Sequence, residues 1–222
     1  AEVYTRLGQR TNTWLSAQTP AGHLFETDLR LRPNGDSGLM VVSLESFRQY
    51  QLENAWVWEH QALTRARFCA GDKAIGAKFE AIRIEVLRQK RDLTKLREEV
   101  LAMRERMADG HPNKTSLFDL KHDKGGLVDV EFMVQYLVLG HAHEHPGLCG
   151  NLGNIALLHM AGELGLIPAD QASAVADSYR EYRRLQHGLR LNNQASRVER
   201  EQVAEAAAGV QALWRTVFGA AR

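Results

Sequence analysis

The chain opens with a helical hydrophobic period and then changes to a period of two. Apolar side chains within residues 2–17 share one side of a helix, which a Thr-Pro pair ends. Residues 23–32 alternate between two faces, as the residues of a β-strand do. Turn-forming residues occupy 33–38, and a short apolar run follows at 39–42. These signals predict one helix and then a short β hairpin over residues 24–42.

From Ser43 onward the apolar positions recur with a helical period, and Ser43 itself is a suitable N-cap. The predicted helices cover residues 43–53, 55–69, 73–87, 93–107, 126–143, 151–165, 168–193 and 199–217. The fold class expected from this order is α+β and mostly α, with at least six helices after the hairpin. We place a domain boundary near Gly71-Asp72, between a strand-bearing domain at 1–72 and an all-helical bundle at 73–222.

Composition narrows the class of protein. Hydrophobic residues make up 44% of the 222 residues and charged residues 25%, values typical of soluble globular proteins. The formal net charge of +1 predicts neither a nucleic-acid partner nor a membrane surface. Cys69 and Cys149 form no CxxC pair, and no signal peptide or membrane span is evident, so a cytoplasmic protein is expected. The chain starts at Ala1, and we expect it to be a piece of a larger protein.

The charged face of the predicted strand is the strongest chemical signal. Glu26, Asp28, Arg30 and Arg32 alternate along residues 26–32 and therefore share one face. One interpretation is a solvated sheet edge. The other is a functional site, because Mg²⁺ favours one or two carboxylates together with phosphate oxygens, and the arginine fork suits phosphate.

A second signal lies in the helix at 127–139, which is apolar on nearly every side and is therefore predicted to be buried. Asp129 and Glu131 interrupt it, and buried carboxylates need a partner or a bound cation. The two acids form internal salt bridges to arginines, or they serve an active site at the helix N-terminus behind Gly125-Gly126.

The cations nearest to these motifs are Lys121, Arg65 and Arg67. The two arginines either bind phosphate or pair with Glu59 and the buried acids. We predict that at least one of the two carboxylates of the 127–139 helix pairs with Arg65 or Arg67, or faces a pocket lined by Asp28.

Three further features are given structural interpretations. Trp56 and Trp58 are predicted to lie in the core. The alternating charges of the helix at 93–107, which include Arg104, are typical of a solvated face. The alternating histidines at 141–145 lack the cysteine or carboxylate that would complete a zinc site.

Two stretches carry a specific resemblance to a known family. The run FETDLRLRPNGDSG and the NAWVWEHQALTRAR that follows it resemble the D-x-R-L-R-P-S-G segment and next helices of glutamate–ammonia-ligase adenylyltransferases. The later run DLKHDKGGLVDVEF resembles that family's D-I-K-x-x-x-G-G-x-x-D-I-E-F helix. The order matches, and the resemblance covers essentially the whole chain. Proteins of this family have two related halves: one adds AMP, and the other removes it by phosphorolysis. The stretch NAWVWEHQALTRAR resembles the C-terminal half, which adds AMP.

The resemblance implies a nucleotidyltransferase domain, here represented by its last part, followed by a helical domain. It implies transfer of AMP from ATP to a tyrosine of glutamine synthetase with Mg²⁺, which regulates nitrogen metabolism. Asp28 matches the family's third carboxylate and would be a metal ligand or a base. The other two carboxylates, in a G-S-x-x-D-x-D turn, are absent from this sequence, so we expect the isolated chain to be inactive.

The resemblance also implies roles for the remaining charged residues. Arg30 and Arg32 would stabilise phosphate charge or brace the catalytic carboxylate. The residues implied to bind or brace the nucleotide site are Arg65, Arg67, Lys121, Asp129 and Glu131. Two alternatives stay open. One is a helical interaction module that docks glutamine synthetase or the PII signal protein, and the other is a related enzyme that uridylylates the PII protein.

Overall fold

The computed structural model describes residues 2–23, 26–29, 32–35 and 38–219. The chain divides into two compact units, Ala1–Val86 and Leu87–Arg222. The helices are α1 Glu2–Ser16, α2 Leu44–Glu53, α3 Val57–Leu63, α4 Lys73–Leu87, α5 Leu93–Gly110, α6 Leu127–His141, α7 Asn154–Glu163, α8 Ala169–Leu191 and α9 Arg200–Phe218. The strands are β1 Gln18–Thr19, β2 Gly22–His23, β3 Phe118–Asp119 and β4 Arg197–Val198, and a 3₁₀ turn covers Pro146–Cys149. The expected mostly helical α+β fold, with at least six helices after residue 42, is confirmed.

The strand pairing of the first unit differs from the prediction. β1 and β2 form an antiparallel pair in which Gln18 faces His23 and Thr19 faces Gly22. The described residues 26–29 and 39–42 form no strand, so the predicted hairpin over 24–42 is wrong there. The alternation of side chains along residues 23–32 was a misleading signal, because a strand also needs an adjacent strand with which it forms backbone hydrogen bonds.

Helix α2 begins as predicted, with the Ser43 hydroxyl accepting a hydrogen bond from the Ser46 N–H at 3.1 Å. Helix α3 is shorter than the predicted 55–69. Its last carbonyls are capped by Arg83, which is only 1% exposed and donates to the carbonyls of Leu63 and Thr64, each at 3.1 Å. The guanidinium satisfies the carbonyl groups that a helix end leaves without partners.

The prediction of core tryptophans is wrong for Trp56, which is 68% exposed. It stands at the N-cap of α3 rather than inside a longer helix. Trp58, the second residue of the helix, is half-buried.

Helix α6 is the centre of the second unit and packs against α5, α7, α8 and α9. Its apolar side chains are buried all round, as the sequence predicts. Strands β3 and β4 pair antiparallel and join the segment before α6 to the segment before α9. Arg91 donates to the carbonyl of Leu139 near the end of α6 at 3.2 Å, and burial lowers the pKa of this arginine to about 10.

Helix α5 has one buried charge that the sequence interpretation placed in solvent. Arg104 is 6% exposed, and it follows the buried residues Leu96 and Val100 at intervals of four along the helix. Residues four apart share a helical face, so the apolar face of α5 continues into an arginine. In the part of the chain that the structure describes, no helix is both long and apolar enough to cross a membrane.

Candidate functional site

Asp28 lies exposed along a groove of the first unit. The groove has a volume of about 570 Å³ and is walled by Leu7 and Leu15 of α1 and by Met40 and Val41. Among the described residues that line it, Asp28 is the charged one. Its side chain is therefore exposed where it lines the groove.

Arg32 does not extend its guanidinium away from the chain. Its Nε donates to the carbonyl of Gly38 at 3.2 Å, and its Nη1 donates to the carbonyl of Leu29 at 2.5 Å. The side chain therefore joins the two ends of the turn that follows Asp28. Arg30, predicted to act beside it, lies outside the described residues.

The backbone of this turn requires particular residue types. Asn34 and Gly35 both have positive φ, of 62° and 52°, a conformation that asparagine and glycine tolerate best. A Cβ on Gly38 would lie 1.8 Å from the carbonyl oxygen of Pro33. Only glycine allows this approach between the two sides of the turn.

The turn is also bound to α2 and α3. The backbone N–H of Asn34 donates to the hydroxyl of Tyr50 at 3.1 Å, and this hydroxyl lies 3.0 Å from each carboxylate oxygen of Glu59. Glu59 accepts a further hydrogen bond from the N–H of Trp56 at 2.9 Å. Burial, together with the Glu59 carboxylate, raises the pKa of Tyr50. The role of Tyr50 could not be predicted from the sequence, because the neighbouring residues of a helical tyrosine do not indicate which group its hydroxyl will contact.

Arg65 and Arg67 lie exposed just beyond the end of α3. The predicted alternative that they pair with Glu59 is wrong. Glu59 is in the first turn of α3 and bonds to groups at that end, whereas the two arginines follow the other end of the helix.

Asp129 has its partners inside the second unit. Its Oδ1 accepts from Nε of Arg104 at 2.6 Å, and its Oδ2 accepts from the N–H of Gly125 at 2.6 Å. The predicted pairing of Asp129 with Arg65 or Arg67 is therefore wrong. Arg104 is the cation that the fold places beside it, and burial of both side chains leaves little room for another.

Glu131 bonds on the opposite side of α6. It is half-buried and accepts from the hydroxyl of Tyr179 at 3.1 Å, a contact between α6 and α8. Burial raises the pKa of Tyr179, and the Glu131 charge adds to this rise. For this acid too, the described partner is a neighbouring helix rather than one of the two predicted arginines.

The glycine-containing loop before α6 is held from several directions. Tyr182 donates to the carbonyl of Gly125 at 3.1 Å, and Arg104 donates to the carbonyl of His122 at 2.9 Å. The first amides of α6 donate to loop carbonyls: Leu127 to Leu120 at 2.9 Å and Val128 to Lys121 at 3.1 Å. These N–H groups are engaged by the loop, so they are not the phosphate-binding groups that helix N-termini often supply. The side chain of Lys121 is exposed.

The second unit also contains a cavity of about 450 Å³ that sequence analysis missed. Asp123 and Lys124 line it from the loop, and Arg200 lines it from α9. Oδ2 of Asp123 accepts from Nδ2 of Asn113 at 2.9 Å and from Nη2 of Arg200 at 3.3 Å. These contacts hold the loop in place, and the spacing between Asp123 and Arg200 in the sequence offers no sign of them.

Over the described residues, no three His, Cys, Asp or Glu side chains come together in a way that could hold a metal ion. Any metal bound at Asp28 would thus need ligands from its substrate or from other protein segments. A single exposed carboxylate fits this requirement, since Mg²⁺ is commonly bound through one or two carboxylates and phosphate oxygens.

Comparisons with known proteins match the two units to two different family models. Residues 1–82 match the family model of glutamate-ammonia ligase adenylyltransferase, and residues 94–215 match that of GlnD PII-uridylyltransferase. A bifunctional glutamine synthetase adenylyltransferase/adenylyl-removing enzyme of Aromatoleum aromaticum is 69% identical over 99% of this chain and 24% of its own length. Proteins with the same description from Nitrosomonas europaea and Bordetella bronchiseptica are 54% and 58% identical, over 99% and 98% of this chain and 25% and 23% of their own lengths.

The chain spans about a quarter of the length of these relatives. The adenylyltransferase match lies within the first unit, and the PII-uridylyltransferase match lies within the second unit. The chain therefore belongs to the glutamate–ammonia ligase adenylyltransferase family, and through residues 94–215 it also belongs to the family described as GlnD PII-uridylyltransferase.

Proposed function

We propose that this chain is part of a cytoplasmic enzyme that transfers AMP from ATP to glutamine synthetase. The observation that carries the proposal is the exposed Asp28 carboxylate, which lines a groove and is followed by a tightly held turn. The names of the relatives supply the reaction class and the target protein.

In the proposed reaction, a tyrosine hydroxyl of glutamine synthetase attacks the α-phosphorus of ATP and pyrophosphate leaves. Asp28 would hold Mg²⁺, or it accepts the proton that the tyrosine hydroxyl loses. Bound Mg²⁺ would neutralise charge on the phosphate oxygens. Arg32 acts on Asp28 indirectly, because its guanidinium binds the carbonyl of the adjacent Leu29.

Three exposed basic side chains are proposed to bind the nucleotide. Arg65, Arg67 and Lys121 are each exposed, and we propose that they bind phosphate groups. Asp129 and Glu131 support this role from a distance, because their hydrogen bonds fix the loop that carries Lys121 and the packing of α6 on α8.

The test is Asp28→Asn in the full-length protein that contains this chain, assayed for AMP transfer to purified glutamine synthetase. The variant should lose activity by orders of magnitude and keep its circular dichroism spectrum and melting temperature. Glu26→Gln is the matched control, because it neutralises another exposed acid of the same short segment. Near wild-type activity of Asp28→Asn would rule out the proposed role.

A second candidate function rests on the match of residues 94–215 to a PII-uridylyltransferase family. On this view the helical unit docks the PII signal protein or glutamine synthetase. Calorimetry of the 222-residue chain against each purified protein tests it, and absence of binding to both would remove this candidate.

A further inference from the structure

The turn after Asp28 has an attachment that the proposed chemistry does not use. The N–H of Asn34 donates to the Tyr50 hydroxyl, which in turn contacts both oxygens of Glu59. Glu59 is 3% exposed, and it also accepts from the backbone of Trp56. Three separate segments of the first unit therefore meet at one tyrosine hydroxyl.

The direction of these hydrogen bonds is determined by the groups involved. A backbone N–H can only donate, so the Tyr50 oxygen accepts from Asn34. The single phenolic proton is then left for Glu59, which accepts as a carboxylate. Removing the hydroxyl would take one partner from a buried carboxylate and one from a backbone amide of the turn.

A short path of contacts leads from Tyr50 to Asp28. Tyr50 holds Asn34, which is two residues after Arg32, and the Arg32 side chain holds the carbonyl of Leu29 beside Asp28. Gly38 closes the same turn through its own carbonyl. A change at Tyr50 therefore acts directly on the backbone at Asn34, within the turn that the Arg32 side chain closes.

We propose that Tyr50 and Glu59 are positioning residues for AMP transfer, which hold the turn residues 32–35 so that Asp28 faces the groove in its productive orientation. This inference rests on the proposed function. Neither side chain contacts the reacting groups, so both act through the backbone of Asn34.

The experiment compares Tyr50→Phe and Glu59→Gln with wild type in the full-length protein. Each variant should lower kcat/KM for ATP roughly fivefold to tenfold, the size expected for loss of one hydrogen bond that orients a site. KM for ATP should rise, which a smaller folded fraction alone would not cause. The double variant should be little worse than the poorer single variant, because both substitutions break the same contact.

Hydrogen exchange followed by mass spectrometry supplies a readout that does not depend on activity. The peptide containing Asn34 should exchange faster in Tyr50→Phe, since its amide loses its acceptor. Ile82→Val is the matched control: it trims a buried side chain of α4, in the same unit, and should alter neither exchange at Asn34 nor KM for ATP.

Three results would overturn the inference, and one of them would also overturn the proposed function. If Tyr50→Phe keeps wild-type kcat/KM and exchange while Asp28→Asn is inactive, the positioning role fails and the proposed function stands. If Asp28→Asn is fully active, both fail. Loss of activity in Tyr50→Phe with unchanged KM and unchanged exchange at Asn34 also contradicts the positioning role.

Discussion

Replacing Asp129 with alanine removes the carboxylate that Arg104 contacts at 2.6 Å inside the second unit. Both residues are nearly inaccessible, with exposures of 5% and 6%. The same substitution takes the acceptor from the N–H of Gly125, which is also buried. Two polar groups would therefore lose partners where water has little access.

The size of the effect follows from these two losses. Breaking a buried ion pair by deleting one partner costs about 3–5 kcal/mol. A buried N–H without an acceptor costs about 1–3 kcal/mol. The two costs overlap, because Arg104 keeps its bond to the carbonyl of His122 and local rearrangement recovers part of the loss. We expect Asp129→Ala to lower the free energy of unfolding by about 3–5 kcal/mol, a large share of the 5–15 kcal/mol of a typical domain.

Urea unfolding of the 222-residue chain, followed by circular dichroism, measures this difference. Asp177→Ala is the control, because Asp177 forms an exposed ion pair with Arg180 on α8 and such pairs contribute about 0–1 kcal/mol. The double variant Arg104→Met with Asp129→Ala should cost less than the sum of the single changes. A cost below about 1 kcal/mol for Asp129→Ala would refute the assignment of a buried, mutually dependent pair.

Three further outcomes are expected. Gly38→Ala should destabilise the first unit by about 1–3 kcal/mol in urea unfolding, because its Cβ would meet the carbonyl of Pro33 at 1.8 Å. His122 has a pKa below the ordinary 6.5, because partial burial disfavours its charged form and His111 stacks on it, with ring centroids 4.2 Å apart. The unfolded chain therefore binds more protons just below pH 6.5, so stability should fall as pH drops through 6.5, and less steeply in His122→Gln. The isolated chain should bind ATP–Mg²⁺ weakly or not at all.

Each of these three predictions would be contradicted by a specific measurement. Wild-type stability of Gly38→Ala would mean that the turn relaxes without cost, and Gly35→Asn, which keeps a residue that tolerates positive φ, serves as its milder comparison. The histidine assignment fails if His122→Gln has the same pH dependence as wild type. Low-micromolar ATP binding in calorimetry would contradict the expectation that other segments complete the nucleotide site.

The candidate site could be predicted from the sequence only where local chemistry was sufficient. The alternating charges and the motif resemblance pointed to Asp28, the residue on which the proposed function rests. The resemblance implied that Arg32 could brace the catalytic carboxylate, but its hydrogen bonds across the turn were not predicted, because the strand pattern placed its side chain on an outer face. The bond between Tyr50 and Glu59 was missed because it depends on how α2 meets α3.

The positions of most helices were determined by the sequence itself, although α3 is shorter than predicted. The period of apolar positions predicted a helix at 73–87, and the structure has α4 at Lys73–Leu87; the Ser43 cap was likewise predicted and found. These features depend on neighbours within about four residues, which the sequence shows directly.

Only the tertiary structure decided which charged groups meet. The chain has 28 lysines and arginines, and nothing local distinguishes Arg104 from the others as the partner of Asp129, 25 positions away. A buried carboxylate must find a partner, but the identity of that partner depends on which helices pack together. The prediction of a hairpin was wrong at residues 26–29 and 39–42 for a related reason, because a strand also depends on a second segment with which it shares hydrogen bonds.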